Sequence, residues 1–322
     1  MKRKLITPAL TAILGVSLLS ACGTNYKVSF EDYWKQTVNQ TILQNVSEVC
    51  EYDVTFTAGE NDAYLLKYQN GTYTTTFTSE TNNNTTTYSY STELSIQVQY
   101  TVDGHSSEWL QDSVVSTVKF QASDKGLKPI SSEKRTVSHS PASITVPSLA
   151  TAYKQYDISV VTQYDETCTK ATTTKTNNLK TTNNVETQTF TIKHDKYNYL
   201  DNEQLLFAIR CLNPATNASN RFQVYSPFTK AIQKINVNYG TVATKDFVLD
   251  IDGNAGTKQI AYYPTTIQLN TKDGNSGADK TVWIAEAKAE NNTYRNVILR
   301  QEIPVAYNLG TLTFDLKKVN FA

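Results

Sequence analysis

The amino-acid sequence predicts a mainly β protein: a large twisted antiparallel sheet or half-barrel roll, with one N-terminal helix and one buried internal helix. Apolar side chains recur at every second position over long stretches, most clearly from Tyr88 to Val102. This period buries one face of a strand and leaves the other face wet. Tight-turn pairs such as Asp103-Gly104 divide these stretches. One internal segment, beginning at Asp201, combines a helix cap with a long apolar run.

The first 21 residues have the pattern of a secretory signal peptide. A positive start at Lys2–Lys4 precedes an apolar stretch from Leu5 to Leu19, and small residues lead up to Cys22. The apolar stretch is too short to be a resident membrane span. We therefore expect residues 1–21 to be removed on export and the rest of the chain to function outside the cytoplasm.

The end of this segment, Leu19-Ser20-Ala21-Cys22, resembles the lipobox of bacterial lipoproteins. The resemblance implies that Cys22 becomes the first mature residue and carries diacylglycerol on its sulfur, with residues 22–28 as a short tether. Such a chain is anchored to the extracytoplasmic side of the cell membrane through its lipid and does not span it. The alternative is an ordinary secreted protein with a chance cysteine at the cleavage site.

The composition of the mature chain excludes one class of partner. Lys+Arg and Asp+Glu are 30 each in the full sequence, and the signal peptide removes three basic residues and no acidic ones. A chain with a slight acidic excess lacks the basic footprint that binding to nucleic acid requires. The length favours one β-rich domain over residues 29–322, and a subdivision stays open near the irregular region 123–148.

Beyond Cys22, the chain has three cysteines: Cys50, Cys168 and Cys211. An odd number allows at most one internal disulfide. Two interpretations stay open: three small buried apolar residues, or one bridge of unassigned pairing. None of the three forms a Cys-x-x-Cys pair, and the three histidines stand apart from them. This spacing does not predict a zinc site, and no other metal or cofactor is predicted.

A short amphipathic helix is predicted to begin at Ser29. Ser29 followed by Asp32 has the spacing of a helix cap, and Phe30, Trp34 and Val38 recur every four residues. Its expected role is packing across one end of the sheet. The alternative is a helix that lies on the membrane, which its scarcity of basic residues disfavours.

From Cys50 onward the apolar period is two, which predicts one strand after another. Asn70-Gly71 lies between two such stretches and predicts a hairpin turn. Within residues 123–148, the segment Ile130–Val137 is interpreted as an edge strand. Thr167–Asn184 is rich in Thr, Lys and Asn with almost no apolar residue. It therefore predicts a solvated hairpin tip or a mobile loop.

The internal helix is predicted from a cap and an apolar cluster. Asp201 has the position of an N-cap, and Gln204 stands three residues later, where the reciprocal partner of a capping box belongs. Asn213-Pro214 ends the segment. Because the segment is nearly all apolar, we expect the helix to be buried against the sheet. Its apolar residues are Leu205, Leu206, Ala208, Ile209 and Leu212.

Asp250–Gly256 places oxygen-bearing side chains at alternate positions, as a calcium-binding loop does. However, the glycine comes one place late for such a loop, and Ala261 occupies the position that needs a glutamate. Asp252-Gly253-Asn254 is also what a tight hairpin requires, because these residues tolerate positive φ. A turn is favoured here and at Asp273–Asn275, and calcium stays open at Asp250–Gly256.

Three stretches of the C-terminal half resemble a large group of uncharacterised bacterial periplasmic and surface domains. They are the apolar helix Asp201–Arg210, the tryptophan-bearing strand Thr281–Ile284, and the closing hairpin made by Val297–Arg300 and Leu309–Leu316. The resemblance, over residues 185–322, implies one twisted antiparallel sheet rolled partly around a central helix. This architecture is also similar to half-barrels that carry or hold lipoproteins, whose concave apolar face binds acyl chains.

The mature chain carries no catalytic signature, so the protein is not predicted to be an enzyme. It has no Gly-x-Ser-x-Gly elbow, and His194-Asp195 is a lone neighbour pair. The leading hypothesis is a non-catalytic module that binds a hydrophobic or acyl-bearing ligand in the concavity of the sheet. The alternative is a structural or adhesive protein that contacts polysaccharide or another envelope component, and a hydrolase ranks third. The candidate ligand-binding residues are Leu205, Leu206, Ile209, Trp283 and Trp109.

Overall fold

The computed structural model describes residues 47–60, 64–83, 85–123, 126–143, 148–193, 198–212, 214, 219–270, 279–286 and 296–321. The predicted signal peptide, Cys22, the predicted tether and the predicted N-terminal helix lie outside the described residues. So do His194-Asp195 and the turn at Asp273–Asn275. Among the described residues, the helical segments are all too short or too polar to cross a membrane.

Strands account for most of the described chain, which confirms the mainly β prediction. Two short 3-10 turns, Leu149–Thr151 and Ala306–Asn308, lie between strands. The strands are β1 (Ser47–Ala58), β2 (Leu65–Asn82), β3 (Thr85–Val102), β4 (His105–Ser106), β5 (Leu110–Ser123), β6 (Gly126–Pro141), β7 (Tyr153–Tyr164), β8 (Lys170–Asn177), β9 (Val185–Thr191), β10 (Asn198–Tyr199), β11 (Ser219–Ser226), β12 (Ala231–Tyr239), β13 (Ala243–Ile251), β14 (Asn254–Asn270), β15 (Lys280–Ala285), β16 (Ile298–Val305) and β17 (Gly310–Phe321).

All of these strands belong to one sheet, which has two arms that meet at β17. The first arm continues antiparallel from β17 through β1, β2, β3, β5, β6, β7 and β8 to β9. The second arm continues through β16, β15, β14, β12 and β11 to β10, which pairs parallel to β11. The alternation predicted for Tyr88–Val102 is confirmed on β3, where most even-numbered side chains are buried and none of the odd-numbered ones is.

Five C-terminal strands close on themselves into a barrel. The pairs β13–β14, β14–β15, β15–β16 and β16–β17 return to β13 through a short parallel contact between Asp250–Ile251 and Lys318–Val319. Phe247, Leu249 and Phe314 lie in one buried cluster built largely from these strands. Closure pairs strand edges that would otherwise be exposed to other chains.

The internal helix is buried between the two arms of the sheet. Leu205–Ala208 is α-helical and is called α1, and 3-10 turns at Asn202–Gln204 and Ile209–Cys211 extend it at both ends. The helix shares one buried cluster with side chains of β2, β3 and β5 from the first arm. The same cluster includes side chains of β11, β12, β14, β15 and β16 from the second arm. This confirms a sheet that rolls around its own apolar helix.

The predicted capping box at the start of this helix is present. The Asp201 carboxylate accepts a hydrogen bond from the backbone N–H of Glu203 at 2.8 Å. In return, Gln204 Oε1 accepts a hydrogen bond from the backbone N–H of Asp201 at 3.4 Å. The box satisfies N–H groups that have no partner within the helix, so the helix begins at a defined residue.

The hairpin predicted at Asn70-Gly71 is wrong. β2 continues through both residues, and its register with β3 shifts between Gln69 and Thr72, so the pair forms a β-bulge. Asn70 has a positive φ of 52°, and a Cβ atom on Gly71 would lie 2.7 Å from Cβ of Val54 on β1. The residues that suit a tight turn serve here to bulge a strand against a close neighbour.

Two segments interpreted as irregular or peripheral are strands inside the sheet. β6 pairs with both β5 and β7, so Ile130–Val137 is not an edge strand. Thr167–Asn184 is not a loop throughout, because it contains β8, which pairs with both β7 and β9; residues 178–184 form a hairpin tip, which is one of the two predicted alternatives. Threonine is β-branched and fits a strand without apolar neighbours. The hydroxyls of Thr162 and Thr173, for example, hydrogen-bond at 3.0 Å between β7 and β8.

Two predicted tight turns are confirmed. Asp103-Gly104 joins β3 to β4, and Asp252-Gly253 joins β13 to β14, with positive φ at both residues of each pair. The favoured turn within Asp250–Gly256 is therefore present. Its Asp252 carboxylate accepts a hydrogen bond from the backbone N–H of Phe321 at 2.7 Å. The three described cysteines are buried thiols with no disulfide among them: Cys50, Cys168 and Cys211.

Candidate functional site

The three candidate residues on the helix lie among packed rings. Leu205 is 8% exposed and Ile209 is 1% exposed, and Leu206 packs partly buried against the same cluster. Phe207, in the same helix, stacks on Phe77 with 4.4 Å between ring centroids. Protein side chains therefore occupy the concave face beside these residues.

The two candidate tryptophans are not part of this cluster. Trp283 packs against the barrel core, where it stacks on Tyr262 with 4.7 Å between ring centroids. The guanidinium carbon of Arg300 lies 4.6 Å from the centre of the Trp283 ring. Trp109, which precedes β5, is 36% exposed. The structure thus brings Leu205, Leu206 and Ile209 together and places both tryptophans elsewhere.

A pocket of about 160 Å³ opens where the two arms face each other across the start of the helix. The inner faces of β6 and β7 contribute one side of it, and the turn between β11 and β12 contributes another. The helix start, Asp201–Glu203, lies between these sides. We call it the helix-start pocket, and the lining residues that matter below are Ser132, Lys134, Tyr164, Asp201, Glu203 and Phe228.

Asp201 ties the helix start to β6 and β7. Its Oδ2 atom accepts hydrogen bonds from Ser132 Oγ at 2.6 Å and from the Tyr164 hydroxyl at 2.5 Å, while Oδ1 accepts from the Glu203 backbone. The hydroxyls of Tyr164 and Tyr199 hydrogen-bond at 3.0 Å. Burial raises the pKa of the Asp201 carboxyl above its usual range, although the hydrogen bonds oppose that shift.

The remaining polar groups of the helix start balance one another in charge. Lys134 Nζ lies 3.1 Å from each carboxylate oxygen of Glu203. Asn202 is exposed, and its Nδ2 donates a hydrogen bond to Glu203 Oε1 at 2.9 Å. An ammonium, an amide and a carboxylate thus stand side by side, offering both donors and acceptors to a ligand.

An exposed aromatic ring borders the pocket on the opposite side. Phe228 lines the pocket and is nevertheless 63% exposed. It belongs to the turn between β11 and β12, where Ser226 Oγ accepts a hydrogen bond from the Thr229 backbone N–H at 3.3 Å. Lys175 Nζ lies 5.4 Å from the centre of the Phe228 ring. A large apolar ring is therefore left largely exposed to solvent at the edge of the pocket.

Side chains join β9 to the second arm beside this pocket. In the described part of the chain, β9 has strand pairing with β8 alone. Phe190 of β9 stacks on Tyr225 of β11 with 3.9 Å between ring centroids and 8° between ring planes. Glu186 Oε2 of β9 lies 3.0 Å from Lys230 Nζ. We call these two contacts the seam, and Tyr225 belongs both to the seam and to the pocket lining.

A histidine–carboxylate pair lies elsewhere, on β5 and β6. His139 Nδ1 is 2.8 Å from Asp112 Oδ1, which also accepts a hydrogen bond from the His139 backbone N–H at 2.9 Å. Burial raises the pKa of Asp112. The His139 ring also meets Tyr153 edge-on. Neither member of the pair is among the described residues that line the helix-start pocket.

The far end of the helix is held by a buried ion pair. The side chains of Arg210 and Glu48 are 2% and 1% exposed, and the two Nη atoms of Arg210 donate to the two Glu48 oxygens at 2.8 Å each. Arg210 Nε donates to the backbone carbonyl of Asn296 at 3.0 Å. Burial is the largest single effect and would lower the pKa of Arg210, but the charge and the hydrogen bonds of Glu48, together with Cys50 and Tyr90, raise it above its usual value.

The described residues contain no group of three or more His, Cys, Asp or Glu side chains arranged to hold a metal ion. At Asp250–Gly256, where the sequence leaves calcium open, the chain makes the two-residue turn of a hairpin. In the helix-start pocket, Lys134 donates a hydrogen bond to Glu203 and Asp201 accepts one from Ser132. The polar groups there therefore form a hydrogen-bonding network.

No protein-family model matches the chain, and no curated protein matches it either. A crystal structure of a β-barrel-like protein, from a domain of unknown function in Brucella abortus, is similar to it. The similarity covers 87% of this chain and 99% of that chain, with a TM-score of 0.46 and 11% sequence identity.

Sequence reasoning found one residue of the pocket, Asp201, and assigned it only the role of a helix cap. Ser132, Lys134 and Tyr164 alternate along β6 and β7, so each reads as an ordinary strand residue. Phe228 had a detectable signal, because an aromatic residue in a Ser-Pro-Phe-Thr turn has no strand to fit. The other pocket residues come together because the helix start lies against β6, β7 and the β11–β12 turn. The residues next to each of them in the sequence do not determine this contact.

Proposed function

We propose that the protein is an extracytoplasmic lipoprotein, anchored through Cys22, that binds a small polar ligand in the helix-start pocket without catalysing a reaction on it. The observation that carries the binding role is the convergence of three features at the mouth of the rolled sheet. They are the Asp201 hydrogen bonds, the Lys134–Glu203 pair and the exposed ring of Phe228. Ligand sites combine a concavity with a few oriented polar groups in this way.

The size of the pocket favours a ligand of about one ring over an acyl chain. Sites for drug-sized ligands typically have volumes of about 300–1,000 Å³, whereas the helix-start pocket has about 160 Å³. The apolar surface that the sequence predicted for an acyl chain, around Leu205 and Ile209, is packed against protein rings. We therefore place the site at the Asp201 end of the helix, with a small polar ligand in place of an acyl chain.

The bonding of Asp201 supports a binding role over a hydrolytic one. A raised carboxyl pKa is common at catalytic sites, but both oxygens of Asp201 already accept hydrogen bonds from protein donors. Such a carboxylate holds Ser132 and Tyr164 in place and has little capacity left to take a proton from a substrate. The wall of the pocket is preorganised as a result.

The anchor is tested by metabolic labelling with an alkyne-bearing fatty acid, in cells that express the full chain. We expect the label on the wild-type protein, which should partition into the membrane fraction, and no label on the Cys22→Ser variant. Cys50→Ser is the matched control, because Cys50 is a buried thiol and should not affect labelling. Unlabelled wild-type protein released into the medium would contradict the anchor.

The ligand is tested by native mass spectrometry of the full chain, purified in a mild non-ionic detergent. We expect a bound species of a few hundred daltons that is lost in the Phe228→Ala variant and kept in the Val248→Ala variant. Val248 is 78% exposed on β13 and is not among the residues lining the pocket. A bound fatty acid that survives Phe228→Ala would contradict the assignment of this pocket.

A further inference from the structure

We infer that the helix-start pocket takes a neutral saccharide unit, with one face of the sugar ring on Phe228 and its hydroxyls on Glu203, Lys134 and Asn202. This inference rests on the proposed binding function and adds the chemical class of the ligand.

The exposed ring supplies the apolar contact. A phenylalanine that is 63% exposed gains little from its own burial, and the turn that carries it is fixed. Thr229 Oγ1 accepts a hydrogen bond from Gln233 Nε2 at 3.3 Å, and Lys230 pairs with Glu186 across the seam. A sugar ring presents a face of C–H groups that an aromatic ring covers well, while its hydroxyls stay free to hydrogen-bond.

The helix start supplies the polar contacts. Neighbouring hydroxyls of a sugar each act as donor and acceptor, so they match a site in which donors and acceptors alternate. Lys134 Nζ and Asn202 Nδ2 are donors, and both lie within about 3 Å of the Glu203 carboxylate, which is an acceptor. Two adjacent hydroxyls can therefore bond to one acceptor and one donor at the same time.

The charges of the pocket disfavour an ionic ligand. Among the lining residues, Lys134 pairs with Glu203, and the Asp201 carboxyl is enclosed by donors from Ser132, Tyr164 and the backbone. An anion would face two carboxyl groups, and a cation would compete with an ammonium that is already in place. A neutral ligand avoids both penalties, and a single ring suits a volume of about 160 Å³.

Saturation-transfer NMR and titration calorimetry on the full chain in detergent test this inference. The probes are the methyl glycosides of glucose, galactose, mannose and N-acetylglucosamine, together with methyl glucuronide and hexanoate. We expect at least one neutral glycoside to bind, with Phe228→Ala weakening it about tenfold, as lost ring stacking would. Phe228→Tyr should restore binding, and the Val248→Ala control should leave it within about twofold.

A second variant, Asn202→Ala, keeps the test independent of any folding defect, because Asn202 is an exposed residue. We expect it to weaken the same glycoside. If methyl glucuronide or hexanoate binds in a Phe228-dependent way and no neutral glycoside does, the saccharide inference is overturned while the pocket stands. If no probe binds and the species bound in native mass spectrometry is unaffected by Phe228→Ala, the inference and the proposed site both fail.

Discussion

At the scale of single residues, Arg210 and Glu48 show how a charged pair fixes the interior. A guanidinium buried among apolar side chains is tolerated because it makes two parallel hydrogen bonds to the carboxylate and a third to a carbonyl. The pair connects residues 162 positions apart in the chain. It therefore attaches the end of the internal helix to the first strand of the sheet.

Removing one member of this pair should be costly. We expect Glu48→Gln to lower the free energy of unfolding by about 3–5 kcal/mol, because the Arg210 charge would stay buried without a counterion. Urea denaturation of the full chain measures it. The matched control is Asp53→Asn, which breaks the exposed Lys317–Asp53 pair and should cost less than about 1 kcal/mol. Equal effects in the two variants would show that the buried pair is not essential.

The raised pKa of Asp201 predicts how the stability of the protein depends on pH. Its pKa is raised in the folded protein, so the unfolded chain loses this proton first as the pH rises from about 4. The stabilising contribution is complete below the unfolded pKa and is lost as the pH rises through the folded pKa. We expect Asp201→Asn to remove this component. Between pH 4 and pH 7, the free energy of unfolding of the variant should therefore fall less than that of the wild-type protein.

The control for this measurement is Asp157, whose pKa is lowered by its hydrogen bonds with Arg135. Its contribution is present above the unfolded pKa and is lost as the pH falls, so Asp157→Asn should change the pH profile in the opposite sense. Urea midpoints at several pH values report both variants. Profiles of Asp201→Asn and the wild type that run parallel would contradict the raised pKa of Asp201.

At the scale of elements, the seam replaces backbone pairing with side-chain contacts. β9 reaches the second arm through the Phe190–Tyr225 stack and the Glu186–Lys230 pair. Nearby charges lower the pKa of Glu186, with the Lys230 hydrogen bond as the largest cause. The ion pair is exposed and therefore weak, so the stacked rings carry most of this contact.

The stack can be measured by a double-mutant cycle. We expect Phe190→Ala and Tyr225→Ala to couple by about 0.5–1.5 kcal/mol in the free energy of unfolding, which is typical of an aromatic pair. Phe190→Ala combined with Val248→Ala serves as the control and should show additive effects, because the two residues belong to different parts of the sheet. Additivity in the aromatic cycle would mean that the rings do not hold the seam.

The elements also show where sequence reasoning succeeds. The alternation on β3, the Asp201–Gln204 capping box and the Asp252-Gly253 turn depend on residues close together in the chain, and all three are confirmed. Asn70-Gly71 has the same local preference as a turn but forms a bulge, because β1 lies beside it and β2 continues. The preference of Asn-Gly for positive φ is local, but the neighbouring strand decides whether the pair forms a turn or a bulge.

At the scale of the whole molecule, side chains from both arms hold the helix at both ends. Ser132 and Tyr164 of the first arm bind Asp201 at its start, and Tyr239 of the second arm donates its hydroxyl to the Ile209 carbonyl near its end at 2.6 Å. Both arms of the sheet therefore contact the same buried segment, at its start and near its end.

The candidate site could not be predicted from the sequence, because it is built from both arms of the sheet. The pocket needs β6 and β7 from one arm and the β11–β12 turn from the other, and these meet only when the sheet rolls. The sequence predicted that the concavity beside the helix would matter. It could not show that rings such as Phe77 and Phe207 fill one end while the Asp201 end stays open.

Native-state amide hydrogen exchange most directly tests the central claim, a sheet rolled around a helix that is held at both ends. We predict that the backbone N–H groups of Leu205, Ile209 and Tyr90 exchange only through global unfolding, and that those of the edge strand β9 exchange through smaller openings. Helix amides that exchange as fast as those of β9 would contradict the enclosed helix and the pocket built on it.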